Sequence, residues 1–275
     1  MSKSKNKKNY RSKKHKDPNE NSTKILLNHS SKTEDALKLI KKGYLDKAEA
    51  IYKEMILEGS TDHVIYLNLA MLCGERGSNI EMIEYLKTAI QIQPLYPQAY
   101  NNLGIAFKRK GDLDEAIFHF KKAINLNPRY SKALNNLGNA LKDKKDIKGA
   151  ISYYKQSIAT NPDYSNAHSN LGIAYQELGD LTSAIASFKL AIKLNPNLPQ
   201  AHYNLGTVFK AAGDLTSAIV SLKQSIKLNP NYAEAYSNLG LAFQEEGNIS
   251  DAKLSFNQAI KLNPNYAEAY SNLGV

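Results

Sequence analysis

The chain has 275 residues, of which 23% are charged and 42% hydrophobic, and its formal net charge is +10. This length would accommodate two ordinary domains. No run of residues approaches the 18 or so apolar residues that a membrane-spanning helix needs, and the N-terminal segment lacks the apolar core of a secretory signal. We therefore expect a cytoplasmic protein without a transmembrane segment.

The positive charge is concentrated at the N terminus. Residues 1–28 contain nine Lys or Arg against one Asp and one Glu, a net charge of +7. Few apolar residues accompany these charges, so we predict a disordered basic tail over residues 1–28. Two interpretations remain open for it: a solvated arm, or an arm that makes weak electrostatic contact with nucleic acid or an anionic membrane surface.

The rest of the chain follows a period of 34 residues. Its clearest marker is an Asn-Pro or Gln-Pro pair, whose prolines are Pro94, Pro128, Pro162, Pro196, Pro230 and Pro264. A fixed period of this length indicates a solenoid. Residues 29–62 are predicted to form a degenerate first repeat without the proline, residues 63–266 form six full repeats, and residues 267–275 begin an incomplete one.

Each repeat contains two amphipathic helices. In the repeat that begins at residue 97, Leu103 and Phe107 lie on one helical stripe, and Gly111 ends that helix in a left-handed conformation. A second helix is predicted over 113–126, and Pro128 ends it because proline disfavours a helical residue before it.

Small residues recur where the two helices of a hairpin would cross. Gly104 and Ala116 occupy these positions, and residues of the same size recur in the repeats that follow. One hairpin cannot bury both of its faces, so each must stack on its neighbours. Lys145 stands where the other repeats have glycine, so it either adopts the left-handed conformation or alters the turn.

Together these residues resemble the tetratricopeptide repeat family: an aromatic residue or His, Leu-Gly, an aromatic residue, Gly-Asp, Ala, an aromatic residue, Ala and Asn-Pro at 34-residue spacing. The resemblance covers residues 29–275. It implies an all-α, right-handed superhelical solenoid of antiparallel helix hairpins, in which the first helix of each hairpin lines a concave groove.

No residues form a recognisable catalytic constellation. The six histidines lack metal-ligand spacing, and the glycines recur as helix ends and helix crossings rather than as a phosphate-binding loop. We therefore predict neither an enzyme nor a site for a cofactor or metal. The single Cys73 occupies the position of Phe107, which predicts a small buried hydrophobic residue rather than a reactive thiol.

One polar residue recurs on the groove side of every first helix, two positions before the glycine of Leu-Gly. These residues, which we call the Asn ladder, are Asn68, Asn102, Asn136, Asn170, Asn204, Asn238 and Asn272. A carboxamide offers a donor and an acceptor, so the ladder could bind the backbone of an extended peptide. Alternatively, these residues support the repeat itself. The ladder is similar to the repeat arm of O-linked N-acetylglucosamine transferases, although no part of the chain resembles their catalytic domain.

Charged residues on the groove side differ between the two halves of the array. The N-terminal half is basic and the C-terminal half is acidic, through Lys108, Arg109, Lys132 and Lys142 on one side and Glu177, Glu234, Glu245 and Glu268 on the other. A peptide that is acidic at one end and basic at the other would complement this surface. Ordinary solvated charge explains the pattern equally well.

The sequence thus predicts an interaction scaffold or adaptor that binds an extended peptide segment of a partner protein in a groove. In this hypothesis the Asn ladder supplies affinity, and the charged residues, such as Lys108, Arg109, Glu177 and Glu245, supply orientation. The alternative is the substrate-recruiting arm of a larger transferase, such as an O-linked N-acetylglucosamine transferase or a sulfotransferase. The incomplete last repeat favours that alternative.

Overall fold

The computed structural model describes residues 18–274, with side chains from residue 30 onward. Within these residues the chain is all-α and contains fifteen helices and no strand. The helices belong to two compact units, which meet in sequence between Pro94 and Leu95.

The first unit contains two helix hairpins. Its helices are α1 (Pro18–Lys41), α2 (Leu45–Leu57), α3 (His63–Glu75) and α4 (Asn79–Ile92). Fully buried Tyr52, Met55, Ile65 and Leu69 pack between the hairpins with Ala36 and Ala48. The residues predicted to form a degenerate first repeat therefore build a hairpin with the same core positions as the later ones.

Helix α1 begins at Pro18, so residues 18–28, which the sequence analysis places in a disordered tail, are helical. Proline suits the first position of a helix because its missing N–H has no intrahelical partner there. Extending an existing helix also adds one hydrogen bond per residue without a new nucleation cost. The remainder of the predicted tail, residues 1–17, lies outside the described residues.

The second unit continues the same pattern with five hairpins and a final short helix. Its helices are α5 (Pro97–Lys110), α6 (Leu113–Leu126), α7 (Ser131–Asp143), α8 (Ile147–Thr160), α9 (Ser165–Glu177), α10 (Leu181–Leu194), α11 (Pro199–Ala211), α12 (Leu215–Leu228), α13 (Ala233–Glu246), α14 (Ile249–Leu262) and α15 (Ala267–Leu273). Each helix packs on the next along the chain, and α15 contacts α14. This arrangement is a solenoid of helix hairpins, as predicted.

Glycine, aspartate and asparagine residues mark the ends of these helices. Gly111 has a φ of 88°, which confirms the predicted left-handed end of α5. The side chain of the next residue, Asp112, accepts a hydrogen bond from the backbone N–H of Glu115 and caps α6. At the other end of α6, the Asn127 side chain accepts from the N–H of Arg129 at 3.0 Å, and the asparagines before Pro196, Pro230 and Pro264 make the same contact.

Close contact between a glycine and a ring sets the packing within a hairpin. A Cβ atom added to Gly104 would lie 2.7 Å from the Phe120 ring, and one added to Gly138 would lie 2.6 Å from Tyr154. The same contact recurs between Gly172 and Phe188 and between Gly240 and Phe256. The predicted crossing of the two helices at small residues is therefore confirmed.

Lys145 adopts the left-handed conformation that glycine adopts in the other repeats. Its φ is 67°, and it is the one residue other than glycine with a positive φ among the described residues. Its N–H donates to the Lys142 carbonyl at 2.8 Å, and the following Asp146 N–H donates to Leu141. Of the two alternatives left by the sequence, the structure shows backbone strain rather than a different turn.

Replacing this lysine by glycine is expected to stabilise the protein. Lys145→Gly removes the clash between Cβ and the following carbonyl, so we expect the free energy of unfolding to rise by about 1 kcal/mol. Chemical denaturation followed by circular dichroism measures this change. Lys145→Ala is the matched control, since it keeps a Cβ and should show no comparable gain. Equal stabilisation by both variants would mean that the lysine side chain, and not its φ, is the source of the effect.

Candidate functional site

Two adjoining pockets lie on the first helices of the second unit. We call the surface formed by α5, α7, α9 and α11, on the side that carries these pockets, the first-helix face. The larger pocket has a volume of about 380 Å³ and lies across α7, α9 and α11. The smaller, about 270 Å³, lies between α5 and α7. Asn136 and Asn139 line both pockets, so a single ligand could occupy the two together.

The walls of the larger pocket are uncharged and combine polar with apolar residues. Six carboxamides line it: Asn135, Asn136, Asn139, Asn166, Asn170 and Gln200. The other residues that line it are Tyr164, Ser169, Ile173, Leu198 and Ala201. Each carboxamide can donate and accept hydrogen bonds. These walls therefore suit a neutral ligand with both donor and acceptor groups, such as a peptide backbone.

Two members of the Asn ladder donate to an asparagine of the preceding repeat. The Asn136 amide nitrogen donates to Asn101 Oδ1 at 3.0 Å, and the Asn170 amide nitrogen donates to Asn135 Oδ1 at 2.9 Å. Both acceptor residues are buried. These hydrogen bonds thus support the packing of one first helix on the next. This fits the alternative in which the asparagines stabilise the repeat itself. Asn136 and Asn170 nevertheless line the larger pocket with the rest of their side chains.

Other ladder residues have different partners. Asn68, in the first unit, donates to the Tyr52 hydroxyl at 3.0 Å. Asn102 accepts a hydrogen bond from the neighbouring Asn101 at 3.2 Å. The repeated residue type therefore does not make one repeated contact, because the residues around it change from repeat to repeat.

The C-terminal members of the ladder also differ from one another. Asn238 donates to the Tyr203 hydroxyl and to the Glu234 carbonyl, each at 3.1 Å. The amide nitrogens of Asn204 and Asn272 are buried, and neither donates to any atom of the described residues. Asn204 accepts a hydrogen bond from Gln200 at 3.1 Å.

Asn139 is a pocket residue that the sequence analysis did not assign to the site. The hydroxyl of the fully buried Tyr154 donates to Asn139 Oδ1 at 2.7 Å and fixes the carboxamide between the two pockets. Burial raises the pKa of Tyr154, so its hydroxyl remains a donor at neutral pH. The sequence does carry a signal for this pair. At the positions of Asn139 and Tyr154 the preceding repeat has the apolar residues Ile105 and Phe120, so both positions become polar together.

The charged residues of the groove form ion pairs between successive first helices. Lys142 lies 3.3 Å from Glu177, although the sequence analysis assigns them to opposite charged halves. Lys108 lies 2.9 Å from Asp143, and Lys210 lies 3.7 Å from Glu245. Exposed pairs of this kind contribute about 0–1 kcal/mol each. The basic and acidic halves therefore meet at Lys142 and neutralise each other there.

The remaining groove charges lie on either side of these pairs. Arg109 lines the smaller pocket with Lys108 and Ile105. Lys132 is exposed on α7, and Glu234 and Glu268 are exposed on α13 and α15. The smaller pocket is thus the more basic of the two.

Cys73 is buried, as its position in the repeat predicts, and its thiol donates to Glu81 at 3.6 Å. Burial and the nearby Glu81 raise the pKa of this thiol to about 11, so it is protonated at neutral pH. Over the part of the chain that the structure describes, no group of His, Cys, Asp and Glu side chains could hold a metal ion. None of the described helices is both long and apolar enough to cross a membrane.

Family models match most of the repeat array. Models described as tetratricopeptide repeat or TPR repeat match residues 63–94, 97–130, 119–151, 138–179, 177–213, 206–247 and 233–266. The chain belongs to the tetratricopeptide repeat family, and its repeats form a protein-interaction scaffold. Among curated proteins, none matches the chain.

Several solved structures share the fold. YrrB, described as a TPR protein with an unusual peptide-binding site, is 21% identical over 70% of this chain and 100% of its own, with a TM-score of 0.58. A chain of the APC/C hetero-tetramer Cut9-Hcn1 is 20% identical over 87% of this chain and 47% of its own, with a TM-score of 0.74. MamA from Desulfovibrio magneticus RS-1 is 26% identical over 62% of this chain and 96% of its own, with a TM-score of 0.54.

The hydrogen bonds between ladder repeats are expected to contribute to stability. Asn135→Ala removes the acceptor of the Asn170 amide and leaves a half-buried donor without its partner, so we expect a loss of about 1–3 kcal/mol in the free energy of unfolding. Denaturant titration measures it. Lys132→Ala, an exposed position on the same helix, is the control and should change stability by less than about 0.5 kcal/mol. Equal effects of the two variants would rule out a structural role for the bond.

Proposed function

We propose that the protein is a non-catalytic adaptor whose first-helix face binds an extended peptide segment of a partner protein. The observation that carries this proposal is the larger pocket, in which six carboxamides from three successive first helices face one uncharged space. An extended backbone presents alternating N–H and C=O groups, and carboxamides can pair with both. The pocket can therefore bind a peptide through its backbone without reading each side chain.

The dimensions of the two pockets favour an extended ligand. Packed helices lie about 8–10 Å apart, which is the length of about three residues of extended chain. A segment that spans α5 to α11 would cross three such intervals, so it would contain about nine or ten residues. The shared lining residues Asn136 and Asn139 join the two pockets along this path.

Charge would set the direction of the bound segment. Lys108 and Arg109 line the smaller pocket, whereas the larger pocket has no charged lining residue. An acidic side chain of the peptide would therefore favour the α5 end, and neutral residues would favour the α9 and α11 end. This differs from the bipolar peptide predicted from sequence, because Glu177 and Glu245 line neither pocket.

The likeness to YrrB supports a peptide as the ligand, since that protein is described as having a peptide-binding site. At 21% identity the likeness concerns the fold alone, so the proposal rests on the pockets of this chain. The predicted contact of the basic tail with nucleic acid or an anionic surface is a separate expectation, and most of the tail lies outside the described residues.

Blocking the larger pocket should abolish peptide binding. Peptides would first be selected with the 275-residue chain from a random library of about twelve residues. Asn166 is exposed at the pocket wall, so Asn166→Trp fills the space with an indole, and we expect at least about tenfold weaker binding of the selected peptides. Fluorescence anisotropy measures the affinity.

The matched control is Gln156→Trp, an exposed position on the second helix α8 that lines neither pocket. It adds the same side chain away from the first-helix face and should leave the affinity unchanged. Selected peptides that bind Asn166→Trp as tightly as the original protein would refute the proposed site.

A further inference from the structure

We propose that the outer surface of α10, α12 and α14 binds an amphipathic helix of a partner protein, and that this helix has acidic residues along one edge. These three are second helices of their hairpins, and none of their residues lines either pocket. The inference therefore concerns a separate surface and does not rest on the function proposed above.

Exposed apolar side chains form a row across these three helices. Ala186, Val220 and Leu254, which we call the apolar row, are 34 residues apart and occupy the same position of three successive repeats. Val220 is 64% exposed and Leu254 is 65% exposed. On α10, Leu190 lies one turn beyond Ala186 and is 47% exposed. Isolated apolar residues are common on protein surfaces, but a row at one position of the repeat follows one line of the solenoid.

A row of lysines runs beside the apolar row. Lys193, Lys227 and Lys261 lie seven residues after its three members, and all three are exposed. Seven residues are two helical turns, so these lysines lie on the same side of their helices, about 10 Å from the apolar row. Among the described residues none of them forms an ion pair. A ligand that covers the apolar row can therefore pair with them.

Lysine in the last turn of a helix also offsets the helix dipole, which by itself could explain these residues. Helix α8 shows that the fold does not require them, because α8 has Ser152 and Ala159 at the two positions and is 14 residues long, like α10. In α6 the same positions hold Phe118 and Asn125. Among the second helices of the described repeats, an apolar residue and a lysine thus occur together on α10, α12 and α14.

The two sides of the apolar row differ in charge. Each of the three helices contains two lysines, and Asp251, in the first turn of α14, is their one carboxylate. The capping residues Asp180 and Asp214 lie at the N termini of α10 and α12, on the side of the apolar row away from the lysine row. A ligand on the apolar row therefore meets positive charge along one edge and negative charge along the other, which favours an acidic edge next to the lysines.

The distance between the two rows indicates a helix rather than an extended segment. An α-helix with its side chains is about 10–12 Å across, so a helix that packs on the apolar row reaches the lysines with the side chains of its edge. Neighbouring strands lie about 5 Å apart, so an extended chain would cover one row and leave the other to solvent. Apolar residues with a helical period would pack on the apolar row, and Glu or Asp residues beside that stripe would pair with the lysines.

An anionic membrane would also attract lysines, but it fits this face less well. A membrane is flat on this scale, so lipid phosphates that reach Lys193 would also approach Asp180 and Asp214. Helices that bind a membrane interface bury Trp, Phe or Leu side chains along one face. The apolar row instead includes the short side chains of Ala186 and Val220. These features favour a partner helix over a lipid surface.

Synthetic helical peptides test this inference. The peptides share one leucine stripe and differ at one edge, which carries Glu, Gln or Lys. We expect the Glu-edged peptide to bind the 275-residue chain at least about tenfold more tightly than the Gln-edged peptide, and the Lys-edged peptide to show no binding. Fluorescence anisotropy measures the three affinities.

Substitutions on the outer surface locate the contact. Val220→Glu places a charge in the apolar row, and Lys193→Glu combined with Lys227→Glu reverses part of the lysine row. We expect each change to weaken binding of the Glu-edged peptide about tenfold or more, and the lysine reversal to create binding of the Lys-edged peptide. Ser152→Glu and Ala159→Glu are the matched controls on α8 and should leave the affinity unchanged. All five positions are exposed, so the variants should fold, which circular dichroism verifies.

Three results would overturn the inference. If Val220→Glu and the lysine reversal leave the affinity unchanged, or if the α8 controls weaken it equally, the peptide binds elsewhere. If the chain binds vesicles of anionic lipid through Lys193 and Lys227 but does not bind the Glu-edged peptide, the face contacts a membrane. If the chain self-associates and Val220→Glu abolishes that association while no peptide binds, the face contacts a second copy of the chain.

Discussion

The structure of four of the hairpins depends on the contact between a glycine and a ring on the facing helix. With a Cβ at Gly104, Gly138, Gly172 or Gly240, the ring opposite would have to move, because the added atom would lie less than 3.0 Å from it. Since fully buried rings cannot move without opening a cavity or a clash elsewhere, the contact fixes how closely the two helices approach. The spacing between successive first helices then follows from stacking such hairpins, and with it the register of the Asn ladder.

This spacing determines which ladder residues can bond to the neighbouring repeat. Where the residue 35 positions earlier is asparagine or tyrosine, the amide nitrogen of the ladder residue bonds to the neighbouring repeat and contributes to folding. Where that residue is serine, at Asn204 and Asn272, the nitrogen is buried and donates to no atom of the described residues. Of the two interpretations that the sequence leaves equal, the bonds of Asn136 and Asn170 fit the structural one, and peptide binding by the ladder stays a prediction.

Much of the fold could be predicted from the sequence, but less of the candidate site could. The bounds of α6 and the left-handed Gly111 follow from local rules that depend on a few adjacent residues, and the same rules narrow Lys145 to two alternatives. The pairing of Lys142 with Glu177 does not, because those residues are 35 positions apart and meet only through helix stacking. Asn139 was missed for the same reason: its partner Tyr154 lies on the other helix of the hairpin.

The sequence by itself determined the repeat, the helices within it, the buried stripes and the family. These depend on periodicity and on the conformational preferences of Gly, Pro and Asn, residues that recur at the same positions along the array. Only the tertiary structure decided which polar side chains satisfy one another across repeats. That outcome depends on differences of about one side-chain atom, such as serine against asparagine at residue 169, whose effect appears only once neighbouring helices lie at a fixed distance.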